Sequence, residues 1–505
     1  MTAPYPRRWW ALGALAVSLL TIGLDLTVLN VAVPTLAVDL DASTTQLQWF
    51  SNAYTLVLAA LLLPAGLLGD RFGQKKLLLG ALAVFGMASL ACAYATSPAM
   101  LIAARAVLGV GAAFLIPLSM SLLNVLFPPE ERARALTVWV MATFVGIPLG
   151  PVFGGWLLDN FWWGSVFLIN VPLVLVGLVA VVLWIPGLKG HRSGSIDLPG
   201  IAVSSLGLIA LTYGFVEIGE RGWDDVRSLL LIAAGAVLLA VFAWWERRTP
   251  SPLIDKALFS SRLFSWGAIL ATVASFALMG LTFVLPQLFQ AVQGANALGT
   301  GLRLLPLIGG MLVGAKLAER ALAKAGGKAT VAAGFALLAA GLMIGTASSA
   351  GDGFGFTATW EVIVGLGTGF TLTPLMTLAL SALSEGREGS GSAMIQALRQ
   401  VGGTIGVAIL GTVLNAGYRA QVDVTGLPAQ VAEAAKGSAM AAVAVGSPGL
   451  ADSARAAFLH GMAGTLWTCG GIAVAGIVLT LIFLPGRASE TAVEAPQSEH
   501  DVVSL

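Results

Sequence analysis

The chain has 505 residues, 57% of them hydrophobic and only 10% charged, with a formal net charge of +1. Ordinary soluble domains carry about 25% charged residues, so this composition excludes a soluble globule. The near-zero net charge gives no electrostatic reason to expect nucleic acid, and the two cysteines and three histidines have no metal-ligand spacing.

In chain order, Arg7 and Arg8 precede Trp9 and Trp10, and an apolar run follows to about Leu36. The run is too long for a signal-peptide core and no small-residue cleavage site closes it, so it predicts a retained first span. Further spans are predicted at 48–68, 77–96, 99–126, 135–158 and 165–187. After a polar break at 189–197, a pair is predicted at 197–217 and 228–245. A charged break at 246–262 precedes six more, at 263–289, 299–319, 329–348, 354–383, 391–415 and 458–484. The expectation is an all-α integral membrane protein of about fourteen spans. Its parts are an N-terminal six-helix bundle over 1–188, a linker with two extra spans over 189–257 and a C-terminal six-helix bundle over 258–486. A disordered cytoplasmic tail closes the chain over 487–505.

The loops orient this scheme. If the N-terminus is cytoplasmic, the cytoplasmic turns hold Arg71, Lys75, Lys76, Arg132, Arg134, Lys189, Arg192, Lys256, Lys316, Arg320, Lys324, Lys328 and Arg387, among others. The opposite loops hold Arg221, Arg227, Arg419, Lys436 and Arg455. That asymmetry predicts both termini inside. The alanine-rich stretch 418–457 falls outside and suits a surface helix.

One turn stands out, Gly66 to Lys76, GLLGDRFGQKK. Charges at bilayer depth cost a few kcal/mol each, so Asp70, Arg71, Lys75 and Lys76 mark the membrane boundary. A carboxylate at a helix end with cations just beyond can pair across neighbouring helix termini and so lock or release them. A loop that only holds topology would carry the same lysines. In the second half, Gly314 to Lys328 occupies the equivalent place, with Glu319-Arg320 standing near where Asp70-Arg71 stood. Two such halves suggest parallel repeats around a central cavity.

The fifth span contains GIPLGPVFGG, Gly146 to Gly155. Gly146, Gly150 and Gly154 recur every four residues and share a face that admits a close neighbour, while Pro148 and Pro151 remove backbone donors. Packing alone would also produce this pattern.

Ionisable residues inside spans are functional candidates. Asp25 lies roughly 24 Å along the first helix from Trp9, at 1.5 Å per residue. Arg105 sits about two turns into its span and needs a carboxylate or carbonyls to receive it, and Arg399 invites the same reading. Arg303 is shallow enough to snorkel. Glu361, after Trp360, reads either as a cavity carboxylate or as a surface glutamate beside an interfacial tryptophan. Glu217, Glu220, Asp224 and Asp225 read as solvated. Trp139, Phe144, Phe276, Met279, Phe283, Phe289 and Met376 suit either a cavity for bulky cations or ordinary packing.

Several of these strings resemble a known family. GLLGDRFGQKK resembles the loop between the second and third helices of the major facilitator superfamily, with Gln74 in place of a basic residue. GIPLGPVFGG is similar to the antiporter motif of that superfamily's proton-coupled drug exporters. LDLTVLNVAVP (24–34), RAVLGVG (105–111), WWGSVFLINVP (162–172) and RQVGGTIGVAILG (399–411) resemble its fourteen-span drug:proton antiporter branch, which often has arginine where Gly164 stands.

The resemblance implies a major facilitator fold and proton-coupled export of drugs or other amphipathic, often cationic molecules by alternating access. A lipid, siderophore or endogenous antibiotic is the alternative cargo. It assigns Gly66, Asp70, Arg71, Gly73 and Lys75 to a gating loop, and Gly146, Gly150, Pro151, Gly154 and Gly155 to the antiporter-motif helix. Asp25, Glu361 and Arg105 become the proton-coupling candidates. Absence of a phosphate loop, a metal pair and a nucleophile elbow argues against an ATP-driven pump or a membrane enzyme. The expected partners are the substrate, protons and the bilayer, with no cofactor, no metal, no nucleic acid and a monomer in the plasma membrane.

Overall fold

The computed structural model describes residues 5–42, 44–187, 197–249, 261–381, 383 and 388–485. Lys189, Arg192, Lys256, Arg387 and the 487–505 tail lie outside the described residues. Every described element is helical, as hydrocarbon demands of a chain that must satisfy its own backbone. The first group is α1 (Arg8–Asp39), α2 (Thr44–Phe72), α3 (Gln74–Ala93), α4 (Pro98–Leu126), α5 (Pro129–Asn160), α6 (Ser165–Leu168) and α7 (Asn170–Trp184). Then come α8 (Leu198–Arg221) and α9 (Val226–Arg248). The last group is α10 (Arg262–Gln287), a π-helical turn Leu288–Val292, α11 (Ala297–Arg303), α12 (Leu305–Gly345) and α13 (Phe354–Ser381). It closes with α14 (Glu388–Gln421), α15 (Ala429–Gly437), α16 (Ala439–Ala444) and α17 (Pro448–Phe483).

Among the described residues, 12 helices are long and apolar enough to cross a membrane. One of these stretches, Leu298–Gly345, has 48 residues. It is interrupted at Gly326, whose φ of 79° and ψ of 170° are non-helical and suit a residue without a Cβ. The break falls inside the charged repeat that separates two predicted spans. Side chains fix the starts: Ser97 accepts from Met100 N, Asp197 from Gly200 N and Asp225 from Ser228 N, each satisfying a backbone donor that the helix leaves free. The stretch after Tyr418 folds into α15 and α16, and the Tyr418 hydroxyl donates to Ala435 O at 2.6 Å.

Helices α1 to α7 pack chiefly on one another, α1 on α5 and α7, and α4 on α2 and α3. Helices α10 to α17 do likewise, α12 on α13 and α17, and α14 on α10 and α17. Two helices cross between these groups: α14 reaches α2 and α4, and α5 reaches α11, α12 and α13. Helix α8 packs on α9, α2 and α14. It is tied to α2 by Ser205 Oγ donating to Ala60 O at 2.8 Å and by Trp49 stacked obliquely on Tyr213.

Candidate functional site

The Asp25 side chain is completely buried in the middle of α1, and Arg105 on α4 is 2% exposed. Arg105 Nη1 donates to Asp25 Oδ2 at 2.6 Å, and its Nε donates to Phe50 O on α2 at 2.8 Å. The guanidinium carbon stands 4.7 Å from the centre of the Tyr54 ring. Asn170, the first residue of α7, donates from Nδ2 to Asp25 Oδ1 at 3.3 Å and to Ser89 Oγ at 3.0 Å. Ser89 in turn donates to Phe167 O at 2.9 Å. Both oxygens of the carboxylate are therefore engaged, and six segments of the first group, α1, α2, α3, α4, α6 and α7, join in this network. Such a pair in a dry interior survives only with this degree of hydrogen bonding, because each ion has lost its water. The hydroxyl of Tyr54 and Oδ1 of Asn170 are buried here with no hydrogen-bond partner.

Glu361 on α13 is also completely buried, which overturns the surface reading, and Trp360 beside it is buried too. Neither Glu361 oxygen has a hydrogen-bond partner. Arg399 is held by Ser275 Oγ at 3.0 Å and Gln396 Oε1 at 2.8 Å, neutral groups where a carboxylate or backbone carbonyls were expected. Arg303 donates to Gln293 Oε1 at 2.8 Å and stands 5.6 Å from the Phe354 ring centre.

At one end of the molecule the two groups of helices touch through carboxylates. Asp70 Oδ2, at the end of α2, accepts from Ser390 N in the first turn of α14 at 2.9 Å and is buried there. A helix N-terminus offers free N–H groups and positive potential, which is what an aspartate complements. Glu319, from the charged repeat of the second half, accepts from Thr137 Oγ1 on α5 at 2.9 Å. The two copies thus each grip a helix of the opposite group, α14 for Asp70 and α5 for Glu319. Gly73 has a φ of 93° and starts α3 directly after α2, a turn that a Cβ would strain. Lys75 donates to Val182 O and Ile185 O at 2.9 and 2.6 Å, satisfying carbonyls at the end of α7. Gly66 is buried within α2, and Arg71 lies 5.8 Å from the Phe72 ring centre. Nearby, Arg8 binds Glu131 at 2.6 and 2.9 Å, and this hydrogen-bonded pairing holds the Glu131 carboxyl below the usual carboxylate range.

The glycine face of α5 lies on α1. A Cβ on Gly146 would stand 2.8 Å from the Gly23 backbone and from Leu20 O, and one on Gly150 would stand 2.0 Å from Thr27 Oγ1. Gly154 is tight against Val28 at 3.0 Å, whereas a Cβ on Gly155 would meet nothing within 4 Å. Pro151 is half-buried beside this seam. The second group repeats the device: a Cβ on Gly402 would stand 2.8 Å from Thr272 O, and one on Gly406 would stand 2.4 Å from Phe276 O, both on α10.

The Major Facilitator Superfamily profile matches residues 15–407. The chain belongs to that superfamily. It is 33% identical over 409 residues to the tetracenomycin C resistance and export protein of Streptomyces glaucescens, covering 81% of this chain and 76% of that protein. It is 32% identical over 468 residues to the multidrug efflux pump LfrA of Mycolicibacterium smegmatis, covering 91% and 93%. The probable actinorhodin transporter of Streptomyces coelicolor is 34% identical over 421 residues, covering 81% and 73%. The solved structure of the human organic anion transporter MFSD10 superposes with a TM-score of 0.62 over 95% of this chain and all of that one. At 15% identity, this likeness speaks for the fold alone.

Within the superfamily fold, three side chains of the charge cluster were not singled out from sequence: Tyr54, Ser89 and Asn170. Asn170 lies inside the string WWGSVFLINVP, so an amide in an apolar helix start was the available signal; Ser89 gave none. Glu217, expected to be solvated, is buried and paired with Arg221. Of the aromatic and methionine candidates, Phe289 and Met376 are core residues and Phe283 is exposed. Trp139 is buried and donates to Ser119 Oγ at 2.9 Å. The side chain of Phe144 lies outside the described residues.

Proposed function

We propose that this chain is a proton-coupled antiporter that exports drugs or other amphipathic, often cationic small molecules by alternating access. The observation that carries the reading is the fully buried Asp25–Arg105 pair, set in a chain whose relatives include efflux and resistance proteins. A charge pair that costs desolvation and sits where helices meet suits a coupling role better than a purely structural one. Cells lacking their own pumps and expressing this chain should extrude a cationic dye, and a protonophore should stop the extrusion. Extrusion that survives the protonophore and stops with ATP depletion would reject the proposal. Export of an endogenous antibiotic is the second reading, favoured by the relatives named for tetracenomycin C and actinorhodin.

The same proposal takes the chain as fourteen spans. At 1.5 Å per residue the 48 residues of Leu298–Gly345 measure about 72 Å, over twice the roughly 30 Å hydrocarbon core, so Gly326 divides two crossings. Helix α5, with 32 residues, supplies the other crossing. Two six-helix bundles over 1–188 and 258–486 then flank the α8–α9 linker, in a monomer of the plasma membrane with both termini cytoplasmic.

Asp70 and Arg71 form part of a cytoplasmic gate on this reading. The contact between Asp70 and the α14 N-terminus holds the halves together in the outward-facing state, and charge at such a terminus contributes about 0.3–2 kcal/mol. Asp70→Asn keeps an acceptor and loses the charge. Transport should fall severalfold at unchanged expression, with cysteines at the gate becoming more accessible. Normal transport by this variant would reduce the loop to a topology device.

A further inference from the structure

We propose that Glu361 is a proton-binding site of the transport cycle, reached from the end of the bundle that carries residues 288–303 along the chain Arg303–Gln293–Thr357. This rests on the proton-coupled reading above and adds a second site, in the other half, to the Asp25 pair. The two acids differ in a way that divides their tasks. Both oxygens of Asp25 are engaged, by Arg105 and Asn170, so its charge is released only when helices separate. Both oxygens of Glu361 are free of partners although the side chain is fully buried. An ionised carboxylate buried without a hydrogen bond is far costlier than the neutral acid, so the conformation seen here belongs to the proton-loaded side of a cycle.

The approach is built from three side chains. Thr357 lies four residues before Glu361 on α13, hence on the same helical face one turn nearer the end of the bundle. Gln293 Nε2, just after the π-helical turn, donates to Thr357 Oγ1 at 3.1 Å. Arg303 donates to the other end of that amide, Gln293 Oε1, at 2.8 Å. Arg303 and Gln293 are half-buried while Thr357 is buried, so the chain descends from the rim towards the acid. Every donor in it points inward. With its oxygen accepting from Gln293, Thr357 has its hydroxyl hydrogen left to donate along the face that Glu361 occupies. When Glu361 gives up its proton to water, this polarised arm is placed to receive the carboxylate, with Arg303 as the charge behind it. When it regains a proton from water at the same rim, the arm returns to the arrangement seen here.

The other charged side chains on the helices packed against α13 lie elsewhere along those helices. Arg262 stands at the start of α10, and Lys316 to Lys328 lie around the Gly326 break of α12. Glu130 to Arg134 and Asp159 are at the ends of α5. On α14, Arg399 is bound by Ser275 and Gln396, and Arg419 is in the last turn. None of them is hydrogen-bonded or ion-paired to Glu361.

The experiment uses the full chain in proteoliposomes, with wild type, E361Q and T357V side by side and a cationic dye as cargo. Wild type should concentrate dye against its gradient when a pH gradient is imposed; failure of wild type would sink the proton-coupled reading itself. With wild type active, E361Q should lose uphill transport, and its downhill dye flux should lose the pH dependence that wild type shows. T357V should retain that dependence only with a shifted midpoint. A structural role for Glu361 would lower flux at every pH alike. Uphill transport or a pH profile in E361Q equal to wild type overturns the proposal. A wild-type profile in T357V overturns the route.

Discussion

Asp25→Asn should destabilise the protein by about 3–5 kcal/mol and abolish proton-driven uphill efflux, because it leaves Arg105 buried opposite a neutral amide. Arg105 would keep its bonds to Phe50 O and the Tyr54 face, but the compensating charge would be gone. The stability cost and the coupling defect are separable. Adding Arg105→Gln removes the uncompensated cation, so the double variant should recover much of the lost thermal stability while uphill transport stays absent. Downhill exchange is the activity expected to persist in part. Thermal denaturation of the purified single and double variants reads the first effect, and pH-gradient-driven transport reads the second. Single variants as stable as the wild type would mean that the pair is not dry, and uphill transport by Asp25→Asn would remove this acid from the mechanism.

The next largest effect is expected at the α1–α5 seam. Gly146→Leu drives a side chain into the backbone of Gly23 and Leu20, which cannot rotate away. Overpacking of this kind costs roughly 1–3 kcal/mol where the structure yields, and more where backbone is the obstacle. Transport should be lost. Gly155→Leu, one residue past Gly154 in the same motif, enters open space and should leave transport near the wild-type rate. Comparing dye efflux and thermal stability of the two variants checks this. A functional Gly146→Leu protein, or equal damage at both positions, would contradict a packed seam on one face of α5.

These two sites show what a sequence can convey. The four-residue recurrence of Gly146, Gly150 and Gly154 is a property of the helix itself, so the packed face was legible before its partner was known. Gly155 shares the motif but not the face, and only the position of α1 shows that it is free. Asp25 was legible as an acid in an apolar run, and Arg105 as a cation needing a partner. Their mutual pairing, and the part played by Asn170 and Ser89, depend on how α1, α3, α4 and α7 meet, which no local pattern encodes. Glu361 had two readings because a residue near a helix end can face lipid headgroups or the interior, and packing of α12 and α13 decided it. The copy of the charged loop was visible as Glu319-Arg320, but the grip of Glu319 on Thr137 joins residues 182 apart in the chain. Glu217 was misread for the opposite reason: a charge beside a predicted loop looked solvated, yet it is buried and paired with Arg221 one turn on.

Proton-coupled antiport requires that substrate and protons move in opposite directions through this chain. The most direct measurement loads proteoliposomes with a cationic dye and a trapped pH indicator, imposes no pH gradient, and dilutes them into dye-free buffer of the same pH. As dye leaves through the protein, protons should enter, and the lumen should acidify in step with dye loss, with no such change in protein-free vesicles. Protein-dependent dye loss at constant lumenal pH would make the chain a facilitator and contradict proton coupling.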